Sequence, residues 1–530
     1  MQSDLVLFNG RIHTLDFKTP YVVAVAIRGD RIVYAGDDAT ARETLRPGGE
    51  AVDLQGRCAI PGLTDAHVHF SMYAVALQSV DVETETLAEA LNRVAQRASL
   101  RTTSPGAWII GNGWNQNVWG GNFPTAADLD RVAPEDPVLL EHKSGHATWV
   151  NSRVLELAGI TASTPDPSGG QIVRDARGQP TGILLENAAD LVEQLRPVST
   201  PEQLAEAILA AFPIVHRAGL TGVHDFDGSV AFAAYQILKQ HGQLGLRVVK
   251  SIPRDKLSQA IDLGLRSGFG DDWLRIGSVK LFADGALGPQ TAWMLAPFEG
   301  SSSRGIPTLS EAEMADSVRR ANSAGLSCAV HAIGDQACRT VLDVYEEVGS
   351  HEGKLRNRIE HVQLLHPQDY GRLGKLGVIA SMQPIHATSD MLIADKHWGR
   401  RSAGAYAWRT QLNAGAALAF GSDCPVEKID PLIGIHAAVT RRRADGSPGP
   451  EGWYPEQRLT VEEAVRAFTW GAAYAAGKED QLGSITPGKL ADFTVLDQDI
   501  FEIKPMEILN ARVDATIIGG RFVWRAESLS

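Results

Sequence analysis

The chain has 530 residues, far more than one small core needs, so it should hold more than one structural unit. Apolar content of 44% with 21% charged residues is ordinary for a globular protein. A net charge of −13 and a pI near 5.6 argue against a nucleic-acid or anionic-membrane partner, and no apolar stretch approaches the roughly 18 residues that span a bilayer.

The N-terminus, Met1-Gln-Ser-Asp-Leu-Val-Leu-Phe-Asn9, lacks a basic region followed by a long apolar run, so no signal peptide is expected. Cys58, Cys328, Cys338 and Cys424 sit in or beside apolar runs with no CxxC, which predicts reduced, buried thiols in a cytoplasmic protein. Residues 4–15 and 22–36 read as strands joined by tight turns at Asn9-Gly10 and Gly29-Asp30. The C-terminus repeats this style over 482–497 and 515–524. Two β-rich ends around an αβ middle predict a single β-sandwich built from 1–57 and 477–530, the alternative being two unrelated terminal hairpins.

The strand candidate 58–66 leads into Ile60-Pro-Gly-Leu-Thr-Asp-Ala-His-Val-His69. Histidines two apart on extended chain point to the same side, and both imidazoles reach one divalent ion at about 2.0–2.1 Å. Residues 70–219 then exceed what one crossover helix needs, and several runs in them are strand-like; they are expected to form an inserted α+β subdomain over the catalytic face. Asn112, Trp114, His146 and Trp149 in that insert are candidate substrate-pocket residues, with packing within the insert as the alternative for His146 and a core role as the preferred reading of Trp114 and Trp149.

Seven further strand candidates follow at barrel spacing: 220–226, 246–252, 274–282, 327–333, 358–363, 378–383 and 416–423. Helical patterns separate most of them, such as the one that Ser310 would cap with Glu313 three residues on. Eight alternating strands imply a closed (β/α)8 barrel over 58–69 and 220–476. Chemistry-bearing residues fall at the strand ends: Lys280 in Val279-Lys-Leu-Phe-Ala-Asp-Gly285, His331 in His331-Ala-Ile-Gly-Asp335, His361 in Ile359-Glu-His361, and Asp423 in Gly421-Ser-Asp-Cys-Pro-Val426. Each alone reads as a packed core residue or a cap; these four with the His67–His69 pair make five strand-end coincidences, which point to a metal centre. Asp65, Asp284, Asp335 and Glu360 are carboxylates beside them, able to orient imidazole N–H groups.

The order His-x-His, Lys, His, His, Asp resembles the amidohydrolase superfamily over nearly the whole chain, in particular its binuclear members and the branch of N-substituted formamide deformylase and related metal-dependent hydrolases. Gly488-Lys-Leu-Ala-Asp492-Phe resembles the closing motif of that superfamily's sandwich, and His146 lies in a run like the branch's Gly-His-x-x-x-Val-Asn. The resemblance implies a distorted barrel with a β-sandwich, His67, His69 and Asp423 on one ion, and His331 and His361 on a second. It implies a carbon dioxide-derived carbamate on Lys280 as the bridge, because a protonated amine has no free lone pair. Burial in an apolar run favours the neutral amine that carbamylation needs. Zinc is the expected metal, with iron, manganese and cobalt accommodated by the same ligands. A hydroxide shared by the ions would attack, Asp423 would move the proton, and His146 would polarise the carbonyl.

Such a site attacks amides, lactones and deaminable rings alike. Eleven tryptophans and neutral groups such as Asn112 and Gln383 favour a small, uncharged, partly apolar or aromatic substrate, with hydrolysis of a non-peptide C–N bond in an N-acyl or N-formyl amine as the leading expectation. The alternatives are a deaminase or a cyclic amide or lactone hydrolase on the same barrel, and a non-catalytic binding or regulatory relative. A homodimer is one arrangement that the resemblance allows.

Overall fold

The computed structural model describes residues 2–99, 108–143, 147–167, 169–196, 199–349 and 355–529. Its centre is one parallel sheet of eight strands: β1 (Leu63–Val68), β2 (Leu220–Asp225), β3 (Arg247–Pro253), β4 (Leu274–Phe282), β5 (Cys328–Ala332), β6 (Arg358–His361), β7 (Ile379–Met382) and β8 (Leu418–Phe420). Each pairs with the next in chain order. The strands are almost wholly buried, as parallel strands covered on both faces must be, and β6 buries Arg358, Glu360 and His361 as well as Ile359. Helices lie between them, including Glu311–Ser323, whose Ser310–Glu313 capping box forms as its sequence requires.

No ladder joins β8 to β1, so the barrel is nearly closed, and the seam is stitched by the chain just beyond the two strands. The Asp423 N–H donates to the His67 carbonyl and the His69 N–H to the Cys424 carbonyl, both at 2.8 Å. Gly421 permits this approach: a Cβ there would stand 2.4 Å from the His67 nitrogen and 2.5 Å from Asp65 Oδ1. Gly421→Ala is therefore expected to cost about 1–3 kcal/mol of stability and to lower metal content. Thermal unfolding with metal analysis checks this, and an unchanged melting temperature would count against the tight seam.

The chain ends meet in two further sheets. Strands Ser3–Phe8, Ala24–Arg28, Arg31–Gly36 and Leu45–Asp53 form one. In the other, Cys58–Pro61 pairs antiparallel with Phe493–Leu496, beside Val513–Ile518 and Arg11–His13. Leu7, Val25, Ile27, Phe493, Val495 and Ile517 share one core, so the terminal hairpins are not independent. The expected first barrel strand, 58–66, divides: 58–61 joins the terminal sheet, and β1 begins only after Gly62. Periodicity could not show this, because both halves are uniformly apolar.

Residues 75–200 form a separate compact unit, shorter than the 70–219 expected, because helix Pro201–Arg217 packs with the barrel instead. It carries a six-stranded mixed sheet from Val80 to Glu186 with its own core. The four cysteines are free and buried. Among the described residues, no helix is long and apolar enough to cross a membrane.

Candidate metal centre

Four histidines, a lysine and an aspartate meet at the C-terminal end of the barrel. His67, at the end of β1, is fully buried; its Nδ1 lies 2.6 Å from Glu360 Oε2. Its Nε2 is buried with no hydrogen-bond partner among the described residues. Leaving such a nitrogen unsatisfied costs about 1–3 kcal/mol unless something outside the protein binds it. His69 places Nδ1 2.8 Å from Asp227 Oδ1, and His361 places Nδ1 2.8 Å from Gln383 Oε1. All three rings are thus held through Nδ1 by an acceptor, which fixes the tautomer and leaves Nε2 as a lone-pair donor. His331 is turned the other way: its Nε2 donates to the Gly285 carbonyl at 2.9 Å, leaving Nδ1.

Asp423 gathers these rings. Its Oδ1 lies 3.4 Å from His67 Nε2 and 3.6 Å from His69 Nε2, and ligand atoms of His67, His361 and Asp423 all fall within 4.8 Å of one another. The His361 ring centre stands 4.9 Å from that of His67 and 4.5 Å from that of His331. The backbone here is strained: His361, Val362 and Asp423 take φ of 75°, 44° and 59°. Non-glycine residues persist in that region only where the surroundings enforce it, commonly at functional sites.

Electrostatics prepares the set. Burial, reinforced by the Lys280 charge, pushes His67 down to about 4 and His331 to about 3, so both are neutral and free to ligate at pH 7. Burial opposes ionisation of Asp423, but the charge that His67 takes on in the acid range and the hydrogen bond from His386 outweigh it and hold the carboxyl well below its usual range. Glu360 is likewise buried yet held at about 2 by Arg358 and His67. Lys280 Nζ lies 4.4 Å from the Phe226 ring centre and 5.0 Å from that of Phe282, and burial lowers it to about 8.

Of the six residues expected to ligate, His67, His361 and Asp423 have ligand atoms within 4.8 Å of one another, and His69 Nε2 lies 3.6 Å from Asp423 Oδ1. The His331 ring stands against His361, and Lys280 shares the Phe226 ring with His67. Of the flanking carboxylates, Glu360 orients His67, while Asp65 accepts from the Ser422 N–H and hydroxyl, bracing the seam. Asp284 accepts the N–H groups of Trp293, Ile333 and Gly334, and Asp335 that of Leu295. Asp227 and His386 were not anticipated. His386 Nε2 sits 3.2 Å from Asp423 Oδ2 and its Nδ1 3.7 Å from Glu427 Oε1; burial opposes its charge, but these two carboxylates push it up to about 9. Their only sequence signal is position, just after β2 and β7. Asp227→Asn is expected to weaken metal binding about 10- to 100-fold by loosening His69; equal metal affinity in a chelator competition would show the contact to be ornamental.

The substrate candidates fare differently. Trp114 and Trp149 are wholly buried in the insert's own core, with their indole N–H groups spent on the carbonyls of Leu140 and Thr125. They pack rather than contact substrate. Asn112 is exposed on Ile109–Trp114. Gln383 orients His361 through its oxygen, while its Nε2 has no hydrogen-bond partner among the described residues. His146 lies outside the described residues.

Imidazole, carboxylate and a low-pKa amine make a donor set suited to zinc, iron, manganese or cobalt, and the orphaned His67 Nε2 shows the protein prepared for one. A sequence profile of the amidohydrolase family matches residues 50–524. The chain is 33% identical to Protein LONG AFTER FAR-RED 3 of Arabidopsis thaliana over 98% of its own length and 91% of that protein. It is 30% identical to N-substituted formamide deformylase of Arthrobacter pascens, over 97% and 98% of the two chains. The crystal structure of an uncharacterized metal-dependent hydrolase from Pyrococcus furiosus superposes with a TM-score of 0.79 at 30% identity, covering 94% of this chain and all of that one.

Proposed function

The chain belongs to the amidohydrolase family, and on that footing we propose that it hydrolyses a non-peptide C–N bond in a small N-acyl or N-formyl amine. The observation that carries this reading is Asp423, with one oxygen facing the Nε2 atoms of His67 and His69 and the other facing His386. His67, His69 and Asp423 would hold one divalent ion, zinc by preference, and His331 and His361 a second. Lys280, as a carbamate formed by its neutral amine and carbon dioxide with loss of a proton, would bridge them. Bound there, the ions supply an acidified water and a Lewis acid for the carbonyl oxygen.

The protein's own groups do the rest. Asp423 Oδ1 accepts the proton of the attacking water and returns it to the leaving nitrogen. The cationic His386 keeps that carboxylate ionised and aimed. Phe226 and Phe282 flank Lys280 and restrict water around the amine. Glu360, Asp227 and Gln383 keep three rings in one rotamer, so little reorganisation accompanies reaction.

Amine release across a panel of N-formyl, N-acetyl and longer N-acyl amines, with enzyme reconstituted in metal and bicarbonate, tests this. Turnover of at least one linear amide is expected. Turnover of a lactone or an aminated ring with no linear amide cleaved would reject it. One metal per chain, unaffected by bicarbonate, would favour a mononuclear deaminase.

A further inference from the structure

A groove of about 750 Å³ opens beside Lys280 at the ends of β2, β3 and β4. Phe226, Pro253, Leu257, Phe282 and Leu309 give it an apolar lining, and Phe282 is 47% exposed although it flanks the buried amine. In the parallel ladder Pro253 is the register partner of Lys280, so Arg254 stands one residue further along β3's path, at the groove's wall.

The charges in this wall are unequally committed. Arg320 is taken by Ser258 at 2.7 Å and Asp316 at 3.6 Å, and Asp255 by Lys256 at 3.0 Å. Glu313, outside the lining, is held by the Ser310 N–H and hydroxyl at 3.0 and 2.6 Å and feels the Arg254 charge only from beyond ion-pair distance. Arg254 differs. Its Nε donates to the buried Ser317 hydroxyl at 3.3 Å, which anchors the guanidinium, and no carboxylate among the described residues lies within ion-pair reach of it. An anchored guanidinium with both Nη groups uncommitted offers the planar fork that a carboxylate accepts bidentately.

We propose that this groove takes a substrate substituent with an apolar, ring-sized body ending in a carboxylate, and that Arg254 reads that carboxylate. The proposal rests on the amide-hydrolase reading and refines its substrate class from an uncharged amide to an anionic one. The two aspartates in the same wall are each ion-paired, Asp255 with Lys256 and Asp316 with Arg320, which offsets their repulsion of such a group.

The test compares para-formamidobenzoate with formanilide, which share a scissile bond and a ring and differ by one carboxylate. Wild-type enzyme is expected to favour the anionic substrate on the order of tenfold in kcat/KM, mostly through KM. Arg254→Gln should level that ratio, and Arg254→Glu should reverse it. Because both substrates report on the same preparation, a partly unfolded variant leaves the ratio readable. An equal ratio in wild type and Arg254→Gln overturns the proposal. Calorimetric binding of para-aminobenzoate against aniline provides a second arm that needs no turnover. If neither formamide is cleaved, the hydrolase reading fails, while the binding ratio still decides whether Arg254 selects an anion; equal binding in both proteins, or none, rejects that selection.

Discussion

Asp423→Asn is expected to lower kcat by at least about 10³-fold while leaving the fold intact. The two halves of that expectation have separate causes. The backbone at Asp423 has φ 59°, and asparagine tolerates left-handed geometry about as well as aspartate, so the substitution adds no backbone strain. The N–H to the His67 carbonyl that stitches the barrel seam is unaffected by the side chain. The chemistry, by contrast, loses an anion in three places at once. An amide is too weak a base to take a proton from water, it is a poorer ligand between His67 and His69, and its NH₂ group would face His386 Nε2, which now donates to a carboxylate oxygen. His386 then loses one of the two carboxylates that raise it to about 9, Glu427 remaining, and should titrate lower, an effect visible by NMR. Kinetics on metal-loaded protein, paired with thermal unfolding, decides the matter. Activity within tenfold of wild type in a well-folded variant would remove Asp423 from the proton path.

The ligands were legible in the sequence because each is tied to a strand end. A run of buried apolar residues fixes where a strand lies, the parallel ladder fixes which ends share a level, and the last inward-facing residue of each strand must then look into the barrel mouth. That logic finds His67, Lys280, His331 and His361 without knowledge of rotamers. It does not find what holds them. Whether Gln383 turns its oxygen to His361 or to a substrate depends on a side-chain torsion, and one-dimensional pattern is silent on torsions. Asp227 and His386 lie in the loop and first helical turn beyond β2 and β7, where period gives no facing direction. The tryptophans show a related failure. The strand-like runs that carry Trp114 and Trp149 were legible, but which face of the sheet each indole takes was not, and both fill the insert's own core. The insert's end depends on which body helix Pro201–Arg217 packs against, and the break at Gly62 on which sheet captures each half of a strand, both long-range choices.

Lys280→Ala should abolish turnover and remove metal from the centre, and a short carboxylate such as acetate or propionate should restore part of both. Burial has lowered this amine to about 8, so at pH 7 roughly one lysine in ten is neutral, against roughly one in three thousand at its ordinary value. Only the neutral form has the lone pair that attacks carbon dioxide, so the apolar site that makes an ammonium costly is the one that makes a carbamate accessible. Divalent ions beside His67 and His361 would repel an ammonium further and attract an oxygen-bearing anion. Truncation to alanine leaves a space between the Phe226 and Phe282 rings where a small carboxylate can place its oxygens near where the bridge would sit. Rescue by carboxylate but not by methylammonium therefore separates a bridging anion from an amine that acts as a cation or proton donor. Wild-type enzyme should, in addition, regain activity more slowly when reconstituted free of carbon dioxide, whereas the acetate-rescued variant should be indifferent to it. If methylammonium restores the variant and acetate does not, the residue works as an ammonium, and the two-ion arrangement loses its bridge.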